Sequence, residues 1–202
     1  MSLLLVLAPM HVEAAAVRGG GRVLRTGMGP RRARIAAARS LAIDADAVAV
    51  AGICGAVASD LATGDVVLPT ELRTTGGDSV PLIVSETLAA ALRKRGLRVH
   101  TGPLLSIDHI AGAAERQSLG ATGAVALDME TAWLAPAAAG RPFAVVRVVA
   151  DTCGRRLADP RFATDIARAL VVLRRAVPAL GEWARDARFD LAAVHEPDTV
   201  RA

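Results

Sequence analysis

The chain has 202 residues, of which 52% are hydrophobic, and its mean hydropathy is +0.38. This length and apolar content are sufficient for one domain with a sizeable core, and they exclude a disordered chain. Aromatic residues make up only 2% of the sequence, and it contains no tyrosine. An aromatic stacking platform for single-stranded nucleic acid is therefore not expected.

The charge balance is basic, with 24 lysines and arginines against 20 acidic residues, a formal net charge of +4 and a pI near 10.3. The arginines are spread along the chain, and most lie beside carboxylates or on predicted helical faces. This distribution favours a solvated basic surface over a nucleic-acid footprint.

The cysteines and the N-terminal segment point to a reducing compartment. Cys54 and Cys153 lack the number and spacing of a disulfide framework or a metal site, and each follows an apolar run typical of a small buried thiol. The opening MSLLLVLAPM has no basic segment, and its apolar stretch is far below the ~20 residues of a spanning helix. We expect a first strand here, a cytoplasmic protein without a membrane segment, and no metal or other cofactor.

Apolar runs typical of buried strands alternate with helical patterns along the chain. Strands are predicted over 3–8, 23–30 (ending in a glycine turn), 47–57, 65–72, 98–108, 123–128 and 142–151. Helices are predicted over 31–42, 84–96, 109–120, 129–140 and about 160–185. The second helix has Ser85 as its N-cap and ends at Gly96.

Continuous apolar strands between helices predict an α/β fold with three layers, in which a mixed, largely parallel central sheet is flanked by helices. No internal repeat or long linker divides the chain. We therefore expect a single domain over residues 1–185, followed by a charged tail over 186–202 that frays from Arg185.

Polar residues collect where the predicted strands end, and ligands of such sheets gather at the carboxyl ends of the strands. These residues are Glu13, Gly27 to Gly29, Gly52 to Gly55, Asp108, His109, Asp128 to Glu130 and Asp151. Their repeated placement predicts an enzyme.

Two glycine turns, TGMGP (26–30) and AGICGAV (51–57), bring backbone N–H groups close to either a small ligand or a packed neighbour. The sequence leaves both interpretations open. Neither turn fits the phosphate-binding loop of nucleoside triphosphatases or the dinucleotide-binding fingerprint.

Three titratable residues each allow a structural and a functional interpretation. Asp151 is either a helix cap or ion-pair partner of Arg147 or Arg155, or a partly buried proton donor. Glu13 is either a solvated residue at a helix start or a general base that faces Asp151 across a pocket. His109 follows an aspartate, and a single histidine in that position is usually structural; no second histidine is spaced for a metal, and no serine lies in a nucleophile elbow.

Taken together, these segments resemble the purine and uridine phosphorylase superfamily, and its nucleosidase branch in particular. The resemblance runs from Leu3 to about Thr152 and depends most on ALDMETAWLAPAAAGRPFAVVRVVAD (126–151). The order TGMGP, AGICGAV, GDVVLPTEL, GPLLSIDHI and ALDMETA agrees with it. The glycine and HTGPL spacing also resembles the small phosphorylase-like proteins of bacterial hopanoid gene clusters, which act on adenosylhopane.

The resemblance implies a role for each candidate residue. Asp151 would be the general acid that protonates the purine leaving group, and Glu13 would activate the attacking water. Glu130 would accept hydrogen bonds from the ribose 2′- and 3′-hydroxyls, since a carboxylate binds a diol through two charge-assisted bonds. The other implied substrate-binding residues are Met129 against the sugar, Asp128 at the border of base and sugar, His109 and Ile110 in the base pocket, and Ile53, Cys54 and Gly55 in the central glycine turn.

Departures from the family pattern bear on the substrate. His109 stands where nucleosidases carry a stacking Phe, Ile53 replaces a polar Ser, and Ala150 replaces the Ser before the catalytic Asp. The Gly-Asp-x-x-Arg loop of the phosphorolytic enzymes does not occur, and Val50 occupies the place of their arginine. Without an arginine fork a phosphate would be poorly held, so hydrolysis is favoured over phosphorolysis.

Three alternatives stay open beside hydrolysis of a purine nucleoside or adenosyl compound. The same substrate class is cleaved by phosphate, or the protein binds nucleosides without catalysis, or it binds nucleic acid through its basic surface. The presence of Glu13, Glu130 and Asp151 together argues against a protein that binds nucleosides without catalysis. The resemblance also implies a homo-oligomer, a dimer or larger.

Overall fold

The structure is a computed structural model that describes residues 3–152 and 162–194, with the backbone alone for 188–194. Strands and helices alternate along this part of the chain. The strands are β1 (Leu4–Ala8), β2 (Arg22–Arg25), β3 (Ala47–Ala56), β4 (Val66–Thr74), β5 (Ser79–Pro81), β6 (Val99–Ser106), β7 (Ala126–Asp128) and β8 (Phe143–Asp151). The helices are α1 (His11–Ala16), α2 (Pro30–Ser40), α3 (Glu86–Lys94), α4 (Ala113–Gly120), α5 (Thr131–Leu134) and α6 (Phe162–Val194), and a 3-10 turn (Ala135–Ala137) follows α5.

The strands form one mixed sheet that closes on itself. β3 pairs in parallel with β8 and antiparallel with β7, while β4 pairs in parallel with β6 and antiparallel with β8. A parallel pair between β6 and β7 completes the ring. Outside it, β1 joins β3 and β2 joins β1 in parallel, and β5 joins β4 antiparallel. The predicted α/β class and the largely parallel mixed sheet are confirmed, whereas ring closure was not predicted.

The core lies on both faces of the sheet, as the continuous apolar strands predict. Val6 and Ala49 pack on one side with α3 and α6, and Leu5 and Leu7 pack on the other with α2 and α5. All four side chains are fully buried. Burial of one leucine stabilises the fold by about 1.5–3 kcal/mol, so these strands anchor the sheet between its helical layers.

Several predicted boundaries are confirmed to within a few residues, and the cap of α3 is among them. Ser85 Oγ accepts a hydrogen bond of 3.2 Å from the Leu88 N–H, which satisfies one of the free donors at the helix start.

Other boundaries differ for local reasons. Helix α4 begins at Ala113 and not at His109, because Gly112 is extended (φ −74°, ψ 170°) at its N-cap. The helix predicted over 129–140 gives way after Leu134 to the 3-10 turn, which contains Pro136. The segment predicted to fray from Arg185 is helical to Val194, in keeping with its alanine- and arginine-rich sequence. Residues 195–202 lie outside the described residues.

Two elements were not predicted at all. Helix α1 has only six residues, too few to show a helical apolar period, and the three residues of β5 are exposed.

The register of β3 and β8 places polar groups at one end of the ring. Gly52 lies opposite Arg147, and a bulge after Cys54 brings Gly55 opposite Asp151. On the neighbouring strands Ser106 lies opposite Asp128. The ends of β3, β6, β7 and β8 therefore converge on one region.

Candidate active site

Three carboxylates surround the guanidinium of Arg147, which projects from the middle of β8 and is fully buried. Arg147 Nη2 lies 2.5 Å from Asp128 Oδ2 and 3.8 Å from Glu130 Oε2, and Nη1 lies 3.9 Å from Glu13 Oε1. One cation thus faces three anionic groups. If all are ionised, the cluster carries a net charge of −2.

Glu13 lies on the first turn of α1 and is 1% exposed. Its Oε2 accepts a hydrogen bond of 2.7 Å from the Met10 N–H, and its Oε1 accepts one of 2.7 Å from the Ile53 N–H. These bonds join α1 to the glycine turn of β3. The local fold therefore fixes the orientation of the carboxyl group, which excludes a solvated residue at a helix start.

Burial raises the pKa values of two of these carboxyl groups. For Glu13, desolvation outweighs the opposing effects of Arg147 and of the two backbone donors. For Glu130, desolvation and then repulsion by Asp128 raise the pKa to about 7, although Arg147 and the Gly29 N–H oppose the change. Glu130 can therefore hold or release a proton near neutral pH.

Asp128 is the anchor of the cluster, since all its oxygens have partners. Oδ1 accepts a hydrogen bond of 2.5 Å from Ser106 Oγ, and Oδ2 accepts bonds from the hydroxyl and the N–H of Thr131 in addition to the Arg147 ion pair. Thr131 Oγ1 also accepts bonds of 2.9 and 2.7 Å from Arg147 Nε and Nη2. This network holds the Asp128 carboxylate at the point where β7 leads into α5.

Asp151 lies at the end of β8 and pairs with Arg116 of α4. Arg116 Nη2 is 2.5 Å from Asp151 Oδ2, and Arg116 Nε donates a hydrogen bond of 3.2 Å to the Ala111 carbonyl. Of the two ion-pair partners predicted for Asp151, Arg147 pairs with Asp128 instead, and Arg116 was not among the predicted partners. Arg155 and the second cysteine, Cys153, lie outside the described residues.

Gly52 and Gly55 allow these charged groups to approach β3 closely. A Cβ at Gly52 would overlap Arg147 Nη1 and lie 2.5 Å from Glu13 Oε1, and one at Gly55 would lie 2.7 Å from Asp151 Oδ1. Three residues of strand span about 10 Å, so the two glycines mark two separated ends of the site.

His109 and Ile110 lie in the loop before α4 at the mouth of the site. His109 Nδ1 is 2.8 Å from Asp108 Oδ1 and Nε2 is 2.7 Å from Glu115 Oε1, and these bonds raise the pKa of the imidazole, the one with Asp108 most. Ile110 is 57% exposed. His109 is thus held by two carboxylates, as a structural histidine would be, although it also faces the cavity.

Cys54 lies in the bulged end of β3, where burial raises the pKa of its thiol. It is a free, buried cysteine in the described part of the chain, as predicted. It offers the cavity an apolar surface and not a nucleophile.

A cavity of about 340 Å³ joins the two ends of the site, a size suited to a small ligand. The ten residues to which the resemblance assigns a role all line it: Glu13, Ile53, Cys54, Gly55, His109, Ile110, Asp128, Met129, Glu130 and Asp151. The sequence did not single out several other lining residues: Met10, Met28, Ile107, Arg116, Phe162 and Ile166.

The arginines were the main omission. Arg147 interrupts an apolar strand, and this interruption is a signal of a buried charge, but nothing in the sequence pairs it with Asp128. Arg116 lies in a short helix with a polar pattern, where an arginine normally faces solvent.

The family comparison agrees with the fold and the cavity. Residues 20–178 match the phosphorylase superfamily, and the chain belongs to this family. This match confirms the predicted family and, with it, an enzyme of the nucleosidase or nucleoside phosphorylase class.

Solved structures with the same fold include several nucleosidases. Futalosine hydrolase of Helicobacter pylori is 16% identical, with a TM-score of 0.75 over 90% of this chain and 98% of that one. The 5′-methylthioadenosine/S-adenosylhomocysteine nucleosidase of Campylobacter jejuni is 14% identical, with a TM-score of 0.74 over 90% and 100%. The corresponding nucleosidase of Neisseria meningitidis is 22% identical, with a TM-score of 0.69 over 89% and 98%. A search of curated proteins found no match.

Two further observations concern the described residues only. None of their helices is both long and apolar enough to cross a membrane. Among them, no group of three or more His, Cys, Asp or Glu side chains is arranged to hold a metal ion.

Proposed function

We propose that the protein hydrolyses the N-glycosidic bond of a purine nucleoside or adenosyl compound. The observation that supports this most is the placement of Glu13, Glu130 and Asp151 around one cavity of nucleoside size. Two of these carboxyl groups have raised pKa values, and the third is paired with an arginine.

At the sugar end, Glu130 accepts hydrogen bonds from the ribose hydroxyls and Glu13 activates water. A raised pKa makes Glu13 a stronger base once it is ionised, and its two backbone bonds keep it oriented. Water attacks C1′ and transfers a proton to Glu13. Met129, which also lines the cavity, covers the apolar face of the sugar.

At the base end, Asp151 supplies the proton that the leaving base requires. The glycosidic bond breaks, its electron pair stays on the base, and the carboxyl proton moves to a base nitrogen. General acid–base catalysis of this kind contributes about 10²–10⁴-fold in rate.

The charge of the sugar end favours water over phosphate as the attacking group. Arg147 is occupied by three carboxylates and by Thr131, so it presents no fork to a phosphate. When Glu13 and Glu130 are ionised, a phosphate dianion at this position would also face a net negative cluster. Phosphorolysis of the same substrates is therefore the second candidate.

A non-catalytic nucleoside-binding protein is less well supported. Buried carboxyl groups with raised pKa values disfavour the folded state once they ionise, and simple binding of a nucleoside does not require them.

The 5′ substituent of the substrate has room beside the cavity. A groove of about 570 Å³ adjoins it and shares Pro9, Met10 and Met28 with its lining. The groove is both apolar, with Leu24 and Ile35, and basic. This space is compatible with a large substituent such as that of adenosylhopane, and the likeness to hopanoid-cluster proteins stays a prediction.

A homo-oligomer and a cytoplasmic location also stay predictions. Light scattering of the purified protein measures the first of these, and a mass of one chain would contradict it.

Replacing Asp151 with Asn tests the proposed mechanism. We expect kcat to fall by about 10²–10⁴-fold, because the general acid is lost, while the nucleoside still binds. Chromatography of released base and calorimetry of bound nucleoside measure the two effects. Asp60→Asn, an exposed aspartate outside the cavity, is the matched control. Full activity of the Asp151 variant would reject the mechanism.

A further inference from the structure

Arg116 has a donor without a partner at the base end of the cavity. Its side chain is 9% exposed, with Nε bonded to the Ala111 carbonyl and Nη2 paired with Asp151. Nη1 is buried and has no hydrogen-bond partner, and it is the only such side-chain nitrogen or oxygen in the described part of the chain. A buried charged donor without a partner is unfavourable, so this geometry indicates a ligand atom that completes it.

The space beside Nη1 is kept open by Gly55. A Cβ at that position would lie 2.9 Å from Arg116 Nη1 and 2.7 Å from Asp151 Oδ1. The glycine therefore lets both polar groups reach the cavity side by side, and both residues line it. We therefore expect a ligand that contacts Arg116 Nη1 to contact the Asp151 carboxyl group as well.

We propose that Arg116 is a further catalytic residue, whose Nη1 donates a hydrogen bond to an acceptor atom of the leaving base. The inference rests on the proposed function. As the C1′–N bond breaks, negative charge builds up on the base and the Asp151 proton moves to a base nitrogen. Arg116 stabilises the base through Nη1 and the carboxylate left on Asp151 through Nη2. Water supplies the oxygen bound to C1′, and Glu13 takes its proton.

A purely structural arginine would use its donors within the protein. Arg147 does so, since its donors face carboxylates, Thr131 and the Ile53 carbonyl. Arg116, which lines the cavity, differs from Arg147 in that its Nη1 has no hydrogen-bond partner. Its position beside Asp151 also makes a phosphate a poor occupant, because the carboxylate repels an anion.

Leaving-group dependence tests the proposal. In Arg116→Met we expect kcat on a purine nucleoside to fall by about 10²-fold, as for the loss of one preorganised charged donor. On p-nitrophenyl riboside, whose leaving group departs without a proton, we expect a loss in kcat below about threefold.

Two further variants serve as controls. The kcat of Arg116→Lys, which keeps the charge, should lie between the values of the wild type and of Arg116→Met. Gln117→Met, an exposed neighbour on α4, controls for the change to an apolar side chain. Equal losses on both substrates, or none on either, would overturn the proposal.

Binding of the free base separates this proposal from the proposed function. Calorimetry with adenine and with hypoxanthine should show at least one base binding the wild type about tenfold more tightly than Arg116→Met. If no nucleoside is hydrolysed but this difference holds, the hydrolase assignment fails and the Arg116 contact stands. Equal affinities, or no base bound by the wild type, would overturn the contact. If the Met variant does not fold, Arg116→Lys and Arg116→Gln serve in the same two measurements.

Discussion

Glu130 is a buried residue at the N-cap position of α5, but its side chain makes no capping hydrogen bond to the helix. Its carboxylate instead accepts a hydrogen bond of 2.9 Å from the Gly29 N–H, one hundred and one residues away in sequence. The bond ties the TGMGP turn to the cavity. Arg147 does not fully neutralise the Glu130 carboxylate, because Arg147 Nη2 lies closer to Asp128 (2.5 Å) than to Glu130 (3.8 Å).

The raised pKa of Glu130 predicts a pH-dependent KM. Because the pKa is about 7, Glu130 is ionised above that pH and protonated below it. An ionised carboxylate accepts hydroxyl hydrogen bonds more strongly than a neutral acid does. We therefore expect the KM for a ribonucleoside to rise by about tenfold between pH 8 and pH 5.5. Steady-state kinetics over that range measure it.

Two controls isolate Glu130 from the other titrating groups. Glu130→Gln should show a raised KM that no longer changes with pH, and a 2′,3′-dideoxynucleoside should show a flat KM with the wild type. A wild-type KM that stays constant from pH 5.5 to 8 would contradict the diol contact.

Strand β3 is the element that organises the site, because its glycines admit side chains from α1, α4 and β8. Gly52→Ala should therefore destabilise the protein by about 1–3 kcal/mol, since the new methyl group overlaps Arg147 and Glu13. This corresponds to a fall in Tm of about 3–10 °C in thermal unfolding. Activity should fall with it as the Glu13 carboxyl group is displaced.

Gly76→Ala is the matched control for that change. A Cβ at Gly76 meets only Thr74 Oγ1, at 3.6 Å. We expect a change in Tm of no more than about 1 °C. Equal changes in Tm for both variants would contradict the close approach at Gly52.

The sequence predicted the long elements well, because their signals are local. β3 and β8 are almost wholly apolar; β3 has glycines in its second half and β8 ends in an aspartate, so their type and extent follow from composition and period. The ten candidate residues share one cavity because the strands that carry them end on the same side of the ring. α1 and β5 were missed because six and three residues are too short for either period to show.

Long-range pairing is what the sequence could not predict. The antiparallel contacts of β3 with β7 and of β4 with β8 close the ring, yet each involves only two residue pairs. The partners of Arg116 and Arg147 follow from that closure and not from any local pattern. The base-end donor of Arg116 therefore became visible only in the folded chain.

At the scale of the whole molecule, the ring of strands divides the cavity into two ends with different chemistry. Three carboxylates and one arginine lie at the end proposed to bind the sugar, and an aspartate–arginine pair lies at the end proposed to bind the base. If Glu13 and Glu130 are ionised, negative charge at the first end disfavours phosphate. The paired groups at the second end are those proposed to assist departure of the base. Both features support the proposed hydrolysis.

Product analysis in phosphate-free buffer is the most direct test of the proposed hydrolysis. The purified protein is incubated with adenosine, 5′-deoxyadenosine, methylthioadenosine and inosine, with and without phosphate, and the products are separated by chromatography. We expect free base and free sugar from at least one substrate without phosphate, at a rate that added phosphate leaves unchanged. Base released only with phosphate, together with a sugar 1-phosphate, would contradict it.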